Sequence, residues 1–125
     1  MFFSNRLSSA YLKNERIKLH RLWDEGVGEF IFSGNEPSIE MATTQADAIM
    51  TTYPPTYFGG RVNELQSENW IKEGINNANN IVYHTTENQA ISADYIENGE
   101  ALAKQEIALA GYRLGALLNE LLDKN

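Results

Sequence analysis

The chain has 125 residues, with 10 lysines and arginines against 17 aspartates and glutamates, a formal charge of −7, and no cysteine. That length is one domain's worth, and the 42% apolar content argues against wholesale disorder. The acidic balance repels a phosphate backbone unless metal ions supply local positive charge, and the lack of cysteine excludes a disulfide framework without choosing a compartment.

Met1-Phe2-Phe3-Ser4-Asn5-Arg6-Leu7 is too short and too soon polar for a signal-peptide core, and no run reaches the ~20 apolar residues of a membrane span. Ser8, Ser9 and Asn14 read as loop. A first short helix is expected from Ile17 to Glu25, punctuated by Gly26 and Gly28. Its apolar side is Ile17, Leu19, Leu22 and Trp23, while His20 and Asp24 form a separate stripe. Phe30-Ile31-Phe32 reads as a strand or extended connector before the turn Ser33-Gly34-Asn35.

Pro37 suits the first position of a second helix, whose face would be Ile39, Ala42, Ala46, Ile49, Met50 and Tyr53. Pro54-Pro55 ends it, and Tyr57-Phe58-Gly59-Gly60 is expected to continue as loop. A third helix should run from Ser67, as N-cap, to Tyr83, with Ile71, Ile75, Ala78 and Val82 inward and four asparagines outward. Ser92 should cap a long last helix, Ala93 to Leu122. Its expected core stripe is Ala103, Ile107, Ala110, Leu114, Leu117 and Leu121, with Gly111 and Gly115 allowing a neighbouring helix close. The fold class is therefore all-α: about four helices with long loops in a single domain, 1–125.

His20 and Asp24 carry the chemistry. At i and i+4 on a helix they stack on one face, and imidazole with carboxylate can ligate one zinc ion. The other reading is a surface histidine beside a solvated aspartate. Trp23 and Trp70 read as packing anchors rather than base-stacking platforms, because stacking platforms normally accompany a basic groove. Tyr53, Tyr57 and Phe58 read as local packing around Pro54-Pro55. His84 fits a helix end, Arg113 a carboxylate partner or a cap for another helix, and Glu73 a structural partner. No arrangement forms a nucleophilic triad, and no catalytic residue is assigned.

Leu19-His20-Arg21-Leu22-Trp23-Asp24-Glu25-Gly26 resembles the Leu-His-x-x-Trp-Asp-x-Gly segment of zinc-dependent single-strand nucleases and 3′-nucleotidases of the mung bean nuclease type. Asn69-Trp70-Ile71-Lys72-Glu73 is similar to that family's Trp-x-x-Glu-Ser segment, with Gly74 where a serine is common. The run from Gln105 to Asn119 resembles its closing helix, Ala-Gly-x-Arg-Leu-Ala-x-x-Leu-Asn. The resemblance implies the C-terminal portion of the helical phospholipase C/nuclease fold, in a larger zinc nuclease domain about twice this length. It implies a phosphodiesterase working through clustered zinc ions, with His20 and Asp24 as ligands of one zinc and weak or absent metal binding in this chain alone.

The sequence has two histidines, His20 and His84, and only His20 falls on a family ligand position. The expected function is accordingly that of a zinc nuclease relative, truncated and inactive by itself. The alternative is a non-catalytic helical interaction or structural module left from such a nuclease. Implied partners are single-stranded nucleic acid or a 3′-nucleotide if the site is complete, and a second copy or a complementing N-terminal half. No membrane is implied. The family is exported; the sequence carries no such address, so the compartment is left open.

Overall fold

The computed structural model describes residues 18–25, 27, 38–87 and 89–124. Among these, every regular element is helical: α1 Leu19–Glu25, α2 Ile39–Thr52, α3 Pro55–Phe58, α4 Ser67–Asn77 and α5 Ala93–Leu122. A 3-10 turn, Gly59–Asn63, follows α3, and a π-helical turn, Ala78–Val82, follows α4. The all-α expectation holds. Ile17, Gly26, Gly28, Pro37, the run 30–35 and the N-terminal loop positions lie outside the described residues.

The chain divides into two compact units, Met1–Ser33 with Glu73–Ala103 and Gly34–Lys72 with Lys104–Asn125. The first is built around Leu22, Val27, Tyr95 and Ile96, with Leu19, Trp23, Ile91 and Ala103 packed against them. Ser92 caps α5 as expected, its Oγ accepting from the Tyr95 amide at 3.1 Å. Gly99 lies buried in α5, where an added Cβ would come 3.2 Å from a Val27 methyl and 3.3 Å from the Trp23 ring. A glycine that costs up to ~1 kcal/mol of helix propensity is here the condition for close packing.

In the second unit α2 begins at Ile39, because Ser38 holds the cap: its Oγ accepts from the Met41 amide at 3.2 Å. The expected start at Pro37 is thus two residues early. Of the face anticipated on this helix only Ile49 is buried, and Ile39 and Met50 are exposed. Four threonine hydroxyls, at 43, 44, 51 and 52, bond the carbonyl four residues back instead of any neighbouring element. The helix stops before Pro54, as its sequence requires.

Tyr57 to Gly60, expected to be loop, lie in a helical stretch that runs from Pro55 to Asn63. Pro55 occupies the first position of α3, where its missing N–H is harmless, and Gly59 at φ 58° takes the left-handed conformation that ends it. Ser67 lies inside α4 rather than capping it. The expected apolar face divides: Ile71 and Ile75 on α4 are exposed, Ala78 and Val82 in the π-helical turn are half-buried, and Trp70, Glu73 and Asn77 are half-buried in their place on α4.

The last helix has the expected bounds, but its buried side is different. Leu102, Ala108, Leu109 and Arg113 are buried, while Ile107, Leu114, Leu118 and Leu121 are exposed. An added Cβ at Gly111 or Gly115 meets nothing within 4 Å, so among the described residues no neighbouring helix approaches either glycine. No helix among the described residues is long and apolar enough to cross a membrane.

Candidate functional site

The helix α1 starts with the Leu22 amide bonded to the Lys18 carbonyl at 3.0 Å and divides its residues by face. Leu22 is fully buried and Trp23 half-buried in the first unit's core, which fixes the helix by its apolar side. Indole Nε1 of Trp23 donates to the Tyr95 hydroxyl at 2.9 Å, and that hydroxyl donates to the Val82 carbonyl at 2.6 Å. The two rings meet edge to face, with centroids 6.3 Å apart. Val82 ends the π-helical turn, so Tyr95 satisfies one of the carbonyls that a helix end leaves open. Burial pushes the Tyr95 phenol above its ordinary pKa, and the bond from Trp23 partly offsets this.

His20 and Asp24 stand on the opposite face. Their side chains are 88% and 59% exposed, and His20 Nε2 lies 2.9 Å from Asp24 Oδ2. The i, i+4 spacing therefore does bring the two together, one turn apart on a helix whose other side is anchored. Two ligands at tetrahedral corners, with zinc bonds of about 2.0–2.1 Å, lie ~3.3 Å apart. The pair needs to open by only a few tenths of an ångström, which exposed side chains allow, and Nε2 must release its proton. It fits as two corners of a zinc site. It is not a whole site: among the described residues no group of three histidines, cysteines, aspartates or glutamates comes together.

The other residues singled out in the sequence have structural settings. Trp70 Nε1 donates to the Glu64 carbonyl at 2.7 Å, closing the segment before α4, and the Arg113 guanidinium lies 5.6 Å from its ring centroid. That contact leaves Trp70 a packing anchor. Buried Arg113 also donates through Nε to the Arg61 carbonyl at 3.0 Å, capping the 3-10 turn. Tyr53, Tyr57 and Phe58 form successive edge-to-face pairs, 5.1 Å apart in each case, and Phe58 continues to Tyr112 at 6.0 Å. The Tyr112 hydroxyl donates to the Tyr53 carbonyl at 2.9 Å, at the end of α2. His84 is exposed just past the π-helical turn, its amide bonded to the Ile81 carbonyl at 3.1 Å.

Tyr95 is the residue that reading the sequence alone missed. Its signal was available: Tyr95, Gly99 and Leu102 recur at steps of four and three, and all three are buried. Together Tyr95, Tyr112 and Arg113 give α5 a second task, that of capping the carbonyl ends of three other helical segments.

A family model described as S1/P1 nuclease matches residues 5–123. No curated protein and no solved structure shows a match.

Proposed function

The chain belongs to the S1/P1 nuclease family, a family of nuclease-type phosphodiesterases, and from this we propose that it serves zinc-dependent hydrolysis of phosphate esters by contributing His20 and Asp24 to one zinc ion. The substrate class is single-stranded nucleic acid or a 3′-nucleotide. The observation that carries this reading is the pairing of the two side chains, 2.9 Å apart on the exposed face of an anchored helix. Bound zinc would supply an acidified water and positive charge against the phosphate.

The chain's own part is orientation. Leu22 and Trp23 hold α1 by its buried side, so the imidazole and carboxylate keep their spacing without ordering a loop. The surface contributes little to substrate capture, because acidic residues outnumber basic ones by 17 to 10 and repel a phosphate backbone. A catalytic zinc takes about three protein ligands and keeps one position for water. Only two matching ligands are present, so the site works when a histidine-bearing segment completes it and is silent otherwise. The competing reading, a helical interaction module without catalysis, draws its support from the exposed apolar row on α5.

Calorimetric zinc titration of the chain, of His20→Ala and of Asp24→Ala separates the two. Weak binding that either substitution lowers by ~10-fold or more supports the ligand assignment. Tight binding that Asp24→Ala leaves unchanged places the metal elsewhere. The chain alone should leave single-stranded DNA, RNA and 3′-nucleotides intact; turnover abolished by a chelator and by His20→Ala would mean that another copy supplies the missing ligand.

A further inference from the structure

The outer side of α5 carries a seam. Ile107, Gly111, Leu114, Leu118 and Leu121 follow one another at steps of four, three, four and three, the spacing of helix-to-helix contact. All five are exposed, with Ile107 at 46%, Leu114 at 57%, Leu118 at 48% and Leu121 at 54%. They stand opposite the buried Leu102, Leu109 and Arg113, so the helix is apolar on two sides and covered on one. Beside the seam lies an open groove of about 380 Å³, lined by Trp70, Glu106, Ala110, Arg113, Leu114 and Leu117.

We propose that this face is the contact of a two-fold dimer in which α5 of one copy lies antiparallel on α5 of a second, centred on Leu114. The seam is complementary to itself in that direction. Leu118 of one copy falls over Gly111 of the other, where nothing lies within 4 Å of an added Cβ, and Leu121 falls over Ile107. Large against small fills the contact from both sides at once, as a two-fold axis requires. A parallel pairing in register would set Leu118 on Leu118 and Gly111 on Gly111, leaving voids that packed interfaces do not keep.

Charge and area agree. Between Ile107 and Leu122 the positions flanking the seam are Ala108, Ala110, Gly115, Leu117 and Leu122, so the strip itself is uncharged, with Glu106 at the edge of the groove and Lys104 one turn before Ile107. Like charges that would oppose self-association are kept off the contact. The exposed parts of the seam and its apolar flanks come to roughly 500 Å² per copy, so a dimer buries about 1,000 Å², at the lower end of specific interfaces. That area fits a reversible dimer of micromolar rather than nanomolar strength. The inference is independent of the zinc reading, since neither His20 nor Asp24 lies on this face.

Sedimentation or light scattering of the full chain, from micromolar to millimolar concentration, should show a monomer–dimer equilibrium. Leu118→Glu should raise the dissociation constant by ~100-fold or more, because it places a carboxylate unpaired in the contact. Gly111→Leu should raise it by ~10-fold, because it overfills the gap opposite Leu118. Both positions are exposed in the single chain, so circular dichroism should stay unchanged. The chain has no native cysteine, which allows a test of direction. Oxidising a mixture of Ile107→Cys and Leu121→Cys should give cross-links between the two variants. A monomer through millimolar concentration, including one whose face takes up only a different, complementing chain, overturns the proposal. So does a dimer indifferent to both substitutions, or one linking Ile107→Cys chiefly to itself.

Discussion

The two halves of α5 belong to one helix of 30 residues, yet they live in different environments. Over its first ten residues nearly every large apolar side chain is committed: Tyr95 and Ile96 are buried with Leu22 and Val27, and Gly99 is packed against Trp23. Over its last sixteen, Ile107, Leu114, Leu118, Leu121 and Leu122 remain exposed, and two glycines face open space. The second stretch is the more apolar of the two, with 11 apolar residues of 16 against 5 of 10, and yet it is the less covered. What separates them is whether a complementary surface is present, and stability follows the covered area, not the composition.

The sharpest contrast comes from leucine truncation. Leu22→Ala, at a site of zero exposure, should cost about 2–5 kcal/mol, read as a lowered urea midpoint at unchanged slope. Leu118→Ala, measured below the dimerising range, should stay within about 0.5 kcal/mol. Equal costs would erase the distinction between the halves.

Arg113 is the polar exception on the buried side of the second half. Arg113→Met keeps the stem but removes the bond to the Arg61 carbonyl and the contact with Trp70, and should cost about 2 kcal/mol. A neutral result would show that the 3-10 turn needs no cap from α5.

Tyr95→Phe removes a hydroxyl that both accepts from Trp23 and donates to Val82, for an expected loss of about 1–2 kcal/mol. Its pH signature has a definite sign. Burial raises the folded phenol above 10.0, so the stability from keeping it neutral is fully present below pH 10 and is lost as pH climbs through the raised value. The wild type should therefore lose stability above pH 10 more steeply than Tyr95→Phe, by alkaline denaturation. Parallel curves would remove Tyr95 from the buried core.

The smallest effects should differ in sign. Gly111→Ala should stabilise the dilute chain by about 0.5–1 kcal/mol, because the new methyl meets nothing and helix propensity rises. At Gly99 the same change sets a methyl 3.2 Å from Val27 and 3.3 Å from the rigid Trp23 ring, and the crowding should cancel or reverse the gain. Thermal midpoints of the two variants decide it.

Many local signals were readable, although the caps expected around Pro37 and Ser67 were misplaced by a residue or two. Ser92 capping α5, the stop at Pro54 and the pairing of His20 with Asp24 depend on residues within one turn of each other, and all were legible. Legible only in part was the segment 55–63, where the Pro-Pro and Gly-Gly pairs read as breaks. Pro55 instead starts a turn of helix and Gly59 closes it, and the aromatic contacts of Phe58 with Tyr57 and Tyr112 accompany the turn.

Which face of a helix turns inward was not legible on α4 or α5. Apolar residues nearly encircle α5, so two stripes satisfy the same 3.6-residue period: one through Leu102 and Leu109, another through Ile107, Leu114 and Leu121. Periodicity cannot rank them. The choice falls to pairings distant in the chain: Trp23 with Tyr95, 72 residues apart, and Arg113 with the Arg61 carbonyl, 52 apart. Helix bounds, caps and the two-ligand spacing follow from neighbours along the chain, whose bonds form in any context. Burial is a relation between segments, and it takes its sense only once a second surface removes water from one side of the helix.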